Sequence, residues 1–211
     1  MTKISAKCKL CRRAGEKLFL KGERCGTPKC GIVRKPTPPG MHGAKGQRNR
    51  SEFSQQLAMK QRVKRIYAVM ESQLNKYFQA VRNKQGVTGD LLMQKLEMRL
   101  DNAVYRAGLA SSRRQARQAV KHSLFQLNGK NANIPSIELK VGNVISIKEN
   151  KKEKTYIKQI TQAMKESKGA GLPAWIAIDP AKMTVEIKGK PTRDDFGSGI
   201  DSQMIIEFYS K

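Results

Sequence analysis

The chain has 211 residues, and its 42 Lys and Arg against 17 Asp and Glu leave a formal charge of +25. Self-repulsion at that charge opposes compaction, so the composition points to an anionic partner, either nucleic acid or an acidic membrane surface. No stretch is apolar enough to span a bilayer and the N-terminus lacks the apolar core of a secretory signal, which leaves a reduced, intracellular setting and nucleic acid as the partner class.

The charge is concentrated at the front. Residues 1–65 carry 18 Lys and Arg with 3 Asp and Glu, whereas residues 170–211 carry 5 and 6. Within the front, residues 1–50 show no sustained hydrophobic period, and Pro36-Thr37-Pro38-Pro39-Gly40 interrupts any regular element. The segment contains all four cysteines, as Cys8-x2-Cys11-x13-Cys25-x4-Cys30. Four thiolates can close a tetrahedral zinc site, and metal binding can then offset the entropy cost of ordering an otherwise coreless stretch. The same four ligands suit a 4Fe–4S cluster as the alternative. Such a site is filled by protein ligands and leaves no position for an activated water, so the expected role is structural.

Helical periodicity begins near Ser54. Ile66, Met70, Leu74, Tyr77 and Val81 form one apolar stripe, which predicts a helix over 66–81, and the cations Lys60, Arg62, Lys64 and Arg65 lie just before it. Gly86 stops that pattern, and Thr88 is placed to cap a further helix carrying Leu92 and Leu96. Leu100, Ala103, Val104 and Ala107 repeat the stripe, with Gly108 as the residue that closes the helix. Ser112 with Gln115 three residues later is a capping box for a second helix, whose inner face is Ala116, Ala119 and Val120. The pair reads as a helix-turn-helix. On its second helix Arg113, Arg117 and Lys121 form one row and Arg114, Gln118 and His122 the next. An ordinary solvated face mixes signs, but residues 102–137 contain no Asp or Glu. The face therefore suits phosphate.

Strands follow. Phe125–Leu127 runs into Asn128-Gly129, a two-residue hairpin signal, and Val144–Ile147 is a further strand. Tyr156–Lys165 fits a helix, Gly169-Ala170-Gly171 a linker, and Trp175–Ile178, Met183–Ile187 and Met204–Phe208 terminal strands. The class is α+β. No catalytic constellation emerges: His42 and His122 lack a nucleophile or paired carboxylate at telling spacing, Asp194-Asp195 is an isolated pair, and no phosphate-binding glycine loop is present.

The run Leu100-Asp101-Asn102-Ala103-Val104-Tyr105-Arg106-Ala107-Gly108-Leu109-Ala110, followed by Ser112-Arg113, Ala116-Arg117-Gln118, His122, Asn128-Gly129 and Ile134-Pro135-Ser136, resembles the RNA-binding domain named after small-subunit ribosomal protein S-four. That domain also occurs in RNA-modifying enzymes. The flanks extend the resemblance over nearly the whole chain. Pro39–Gly43, Ser51–Leu57, Lys60–Tyr67, Lys190–Arg193 and Ile206–Lys211 look like the bacterial-type ribosomal family, and the cysteine spacing is similar to its four-cysteine, metal-binding subgroup. Three positions depart from the usual pattern: Met41 stands for a common glutamine, Ala68 for a glycine and Asn143 for an aspartate.

The resemblance implies a non-enzymatic protein of the small ribosomal subunit in the cytoplasm, with an organellar ribosome left open. It implies binding to the five-prime domain of small-subunit rRNA early in assembly. It also implies contact with ribosomal protein S-five near the mRNA entrance and an influence on translational accuracy. Neither a membrane nor a small-molecule substrate is expected. The implied organisation is a basic four-cysteine segment over 1–44 and a helical domain over 45–95 completed by 170–211. An RNA-binding domain over 96–169, a helix-turn-helix with a small antiparallel sheet, is inserted between. Expected RNA contacts are Lys9, Arg12, Arg13, Arg48, Arg50, Lys60, Arg62, Lys64, Arg65, Tyr67, Arg106, Ser112, Arg113, Arg114, Arg117, Gln118, Lys121 and His122. The competing readings are an RNA-modifying enzyme and a stand-alone translational regulator bearing the same domain. The first lacks room for a catalytic domain on either flank, and the second has no need of the apolar stripe over 66–81.

Overall fold

The computed structural model describes residues 6–44, 51–151, 172–179, 182–197 and 199–210. The chain divides into two compact units, Met1–Leu92 with Ser198–Lys211, and Met93–Gly197.

In the first unit α1 (Lys7–Ala14) gives the N-terminal segment more regular structure than its sequence suggests. Cys11, Leu18 and Leu20 form a small core with Leu10, Ala14, Ile32 and, from the next helix, Ile66. The short α2 (Gly31–Arg34) lies against α1. A Cβ at Gly31 would stand 2.7 Å from the Cβ of Cys8, so only glycine permits that approach. Next comes α3 (Glu52–Tyr67), with the hydroxyl of its N-cap Ser51 accepting from the N–H of Ser54 at 3.4 Å.

The helix predicted over 66–81 is broken. The chain leaves α3 at Ala68, whose φ of +52° is left-handed, and restarts at α4 (Glu71–Val81). Met70 is consequently exposed, and Leu74, Phe78 and Val81 are the buried face. The period ran through the break because no glycine or proline marks it. The C-terminal strand expected over 204–208 is instead helix α8 (Ser202–Ser210), packed on α3. Met204, Ile205, Ile206, Phe208 and Tyr209, interrupted only by Glu207, fit either element, and helix wins because Ile205 is buried and Tyr209 stacks on Phe78 with ring centroids 5.0 Å apart.

The helix α5 (Thr88–Glu97) runs from one unit into the next, with Leu92 and Leu96 buried as expected. In the second unit α6 (Leu100–Arg106) ends in a Schellman arrangement: Leu109 N–H donates to Val104 C=O at 3.1 Å and Gly108 N–H to Tyr105 C=O at 3.0 Å. Then α7 (Arg113–Lys121) starts at Ser112, whose hydroxyl accepts from Gln115 N–H at 3.3 Å. The reciprocal half of the expected capping box is displaced by one residue, because the Gln115 carbonyl accepts from Ser111 N–H at 2.8 Å.

The sheet is antiparallel throughout, in the order β2-β1-β3-β5-β4, from β1 (Phe125–Leu127), β2 (Lys130–Ala132), β3 (Val144–Ile147), β4 (Ile176–Asp179) and β5 (Thr184–Ile187). The Asn128-Gly129 turn joins β1 to β2 with both residues at positive φ, 49° and 77°. Register places Phe125 opposite Ile147, Ile145 opposite Val185 and Ile176 opposite Ile187, which gives one apolar face over which Leu100, Ala103, Val104, Ala116 and Val120 pack. Burying each large aliphatic or aromatic side chain here contributes about 1.5–3 kcal/mol.

The expectation that 170–211 as a whole completes the helical domain is corrected. Its strand β5 pairs with β3 and β4 pairs with β5 inside the second unit, and of its described elements only α8 belongs to the first. The hairpin is drawn to β3 because Val185 and Ile187 continue the buried face of Ile145. The helix expected over 156–165 and the linker at 169–171 lie outside the described residues. Among the described residues no helix is long and apolar enough to cross a membrane.

Candidate nucleic-acid interface

The second helix of the helix-turn-helix, α7, buries Ala116, Ala119 and Val120 and turns Gln118, Lys121 and His122 fully outward, with Arg114 and Arg117 beside them half-buried. Five of the expected contacts therefore share one side of the helix. The Arg114 Nε, shielded from solvent, has no hydrogen-bond partner among the described residues.

Beneath this surface lies a network that the acid-free run 102–137 concealed. Glu97, at the end of α5, has a side chain 0% exposed. Its carboxylate accepts from Arg106 Nε at 2.9 Å and Nη2 at 2.6 Å and from the Asn102 amide at 2.5 Å, with Arg113 Nη2 at 3.6 Å. Asn102 Oδ1 in turn accepts from Arg113 Nε at 2.7 Å, and the Arg113 guanidinium lies 4.6 Å over the Tyr105 ring. Asp101, almost fully buried, takes a two-pronged pair from buried Arg99 at 3.0 and 2.8 Å and lies 3.6 Å from Arg117 Nη1. Arg106 also donates to the Asp195 carbonyl. Of the expected RNA-facing arginines, Arg106 and Arg113 are thus engaged inside the fold, and Ser112 serves as a helix cap.

The cations of α3 are also used internally. Lys60 is buried, with Nζ 2.9 Å from Glu71 Oε1 and 4.0 Å over the Phe208 ring. Lys64 pairs with the same carboxylate at 2.7 Å. Arg62 pairs with Glu16 and donates to the Gly199 carbonyl, and Tyr67 is buried. Arg12 fastens the proline loop by donating to Thr37 C=O at 2.8 Å and Pro38 C=O at 3.1 Å. Lys9 and Arg13 are exposed. Burial and the neighbouring Arg13 pull the Arg65 guanidinium below its ordinary pKa, against the Cys11 thiol, which acts to raise it. Arg48 and Arg50 lie outside the described residues. The signal that separates these groups is the position of the acids: Glu71 sits 11 and 7 residues after Lys60 and Lys64, and Glu97 and Asp101 immediately precede the acid-free run.

The cysteines are all free thiols; Cys11, Cys25 and Cys30 are buried and Cys8 half-buried. Burial raises the Cys11 thiol above its ordinary pKa, against a backbone hydrogen bond at Leu18 that lowers it, and Cys25, Cys8 and Cys30 add to the rise. Lys21 N–H points at Cys25 Sγ, 3.4 Å away. The donor set fits a thiophilic metal. Among the described residues no group of three or more His, Cys, Asp or Glu is drawn together as a formed metal site.

Residues 2–97 match the family model for the ribosomal protein S4/S9 N-terminal domain, and residues 98–145 match the S4 domain. The chain is 45% identical to small ribosomal subunit protein uS4A of Symbiobacterium thermophilum, over 97% of this chain and 96% of that one. It is 47% identical to uS4A of Bdellovibrio bacteriovorus over 97% and 96%, and 46% identical to uS4 of Maridesulfovibrio salexigens over 98% and 97%. The chain belongs to the uS4 family of small ribosomal subunit proteins. The S4 domain match covers α6, α7 and the first three strands up to the start of β3, and so contains the outward face of α7. The uS4 family is one of structural, rRNA-binding ribosomal proteins and not of enzymes, which removes the RNA-modifying reading.

Proposed function

We propose that this uS4-family chain binds the five-prime domain of small-subunit rRNA early in assembly of the subunit body, and acts in the cytoplasmic ribosome as a structural component. The observation that carries this reading is the outward side of α7: Gln118, Lys121 and His122 exposed, with Arg114 and Arg117 alongside, on a helix that turns no acid outward. In the assembled subunit the chain contacts ribosomal protein S-five near the mRNA entrance and thereby influences accuracy. The test is binding of the full chain to a five-prime-domain transcript. Lys121→Ala is expected to weaken that binding several-fold without changing thermal stability, since its side chain is exposed. Unaltered affinity would remove this face from the interface.

Cys8, Cys11, Cys25 and Cys30 hold a structural zinc in this proposal, with a 4Fe–4S cluster as the alternative. The metal would supply a cross-link that fixes α1, the proline loop and their cations. The support is the crowding of four free thiols, three of them buried, into the first 30 residues, a segment whose core is as small as Cys11, Leu18 and Leu20. Elemental analysis of chain purified without chelator is expected to find one zinc. Cys8→Ser with Cys11→Ser releases it and exposes residues 6–44 to protease. A metal-free wild type refutes the proposal.

A further inference from the structure

The network beneath α7 goes beyond binding to how binding is made selective. Arg99, Arg106, Arg113 and Arg117 converge on two carboxylates and one amide. Four guanidiniums so close repel one another, and in water long side chains sample many rotamers. The buried acids remove both problems. They neutralise part of the repulsion, and by fixed hydrogen bonds they select one orientation for each fork. Asn102 extends this without charge, since its amide donates to Glu97 while its carbonyl accepts from Arg113 Nε. The Arg117 side chain keeps 34% of its surface exposed while Asp101 beneath it keeps 6%, so the arginine reaches outward from an anchored base. An exposed acid at the same place would repel phosphate. These acids are instead sequestered under the cations that they orient.

We infer that Glu97, Asp101 and Asn102 are positioning residues for RNA recognition: they hold Arg113 and Arg117 in the geometry that a particular RNA surface fits, at the expense of net positive charge. The inference rests on the rRNA-binding reading above. It has a sign that charge alone does not share. Removing an acid from a cationic face should, by Coulomb's law, leave binding unchanged or tighten it for any RNA. Loss of orientation should weaken only binding to the RNA that matches.

The test compares the full chain with Asp101→Asn and with Asn102→Ala, on a five-prime-domain transcript and on an unrelated duplex RNA of equal length, at several salt concentrations. Both variants are expected to lose about tenfold in affinity for the transcript. For the unrelated duplex, Asp101→Asn is expected to bind as well as or better than wild type, and Asn102→Ala within about twofold of it. Asp101→Asn leaves Arg99 buried without its acid and is the variant at risk of misfolding. Asn102→Ala changes no charge and carries the test where that occurs, with circular dichroism confirming the fold of each. Full retention of transcript preference in a folded variant overturns the positioning role and leaves the rRNA reading standing. A wild type with no preference for the transcript overturns both.

Discussion

Glu71 accepts from the Nζ of Lys60 and of Lys64 and from the Tyr209 hydroxyl, the last at 2.7 Å, and so ties α3 and α8 to the start of α4. Burial works against its charge, but the three donors outweigh burial and hold the carboxyl at about 2, against an ordinary 4.5. Burial and the same contact push the Tyr209 hydroxyl above its ordinary value. A carboxyl depressed by folding contributes stability that is complete above its unfolded-state pKa and is lost as the pH falls towards the folded one. With 43% of the Glu71 side chain exposed, screening reduces the contribution to the order of 1 kcal/mol. Glu71→Gln is therefore expected to be less stable by about that amount at neutral pH. Its denaturant midpoint should converge on that of wild type between pH 4.5 and pH 2. A difference that stays constant with pH would assign the effect to packing. The position of Glu71 was only a faint signal of this pairing, because Lys60 and Lys64 sit in a cationic run and their acid lies beyond a helix break. Asn143 was more legible: its Oδ1 accepts from Lys140 N–H at 2.7 Å, a contact that aspartate makes equally well, and so the departure from the family pattern costs nothing.

At the level of elements, the signals that held were local ones. Asn128-Gly129, Gly108 and Ser112 each act within a few residues, and each turn or cap formed where it was expected. The failures came where distant packing chose between local alternatives, as at α8, or imposed a conformation that no residue type announces. Ala68 is the clearest case. Its left-handed backbone ends α3, with its N–H bonded to the Lys64 carbonyl, a conformation that suits the glycine that the family resemblance leads one to expect here. An L-residue in that conformation costs about 1 kcal/mol, partly offset by the lower entropy of its unfolded state. Ala68→Gly is expected to leave the fold unchanged and to raise stability by roughly 0.5–1 kcal/mol, read as a higher thermal midpoint. A lower midpoint would mean that the Ala68 methyl packs better than its backbone is strained.

For the whole molecule the formal charge of +25 overstates what is available to RNA, because Arg12, Lys60, Arg62, Lys64, Arg99 and Arg106 are committed inside the fold. Enough remains for polyvalent binding. The affinity for a five-prime-domain transcript should fall steeply with salt, with a log–log slope reporting on the order of six or more displaced counterions. Replacing Arg13 or Lys121 by alanine should each lower that slope by about one. A slope of about one or two for the intact chain would remove the physical basis of the rRNA reading. The two-unit division has a further consequence, for the order of events during synthesis. The first unit is discontinuous: α8 packs on α3 and follows the entire second unit in the chain. The second unit, Met93–Gly197, is continuous. A nascent chain therefore has every residue of the later-encoded unit in hand before the earlier-encoded one can close. Until α8 emerges, the side of α3 that it covers stays in water.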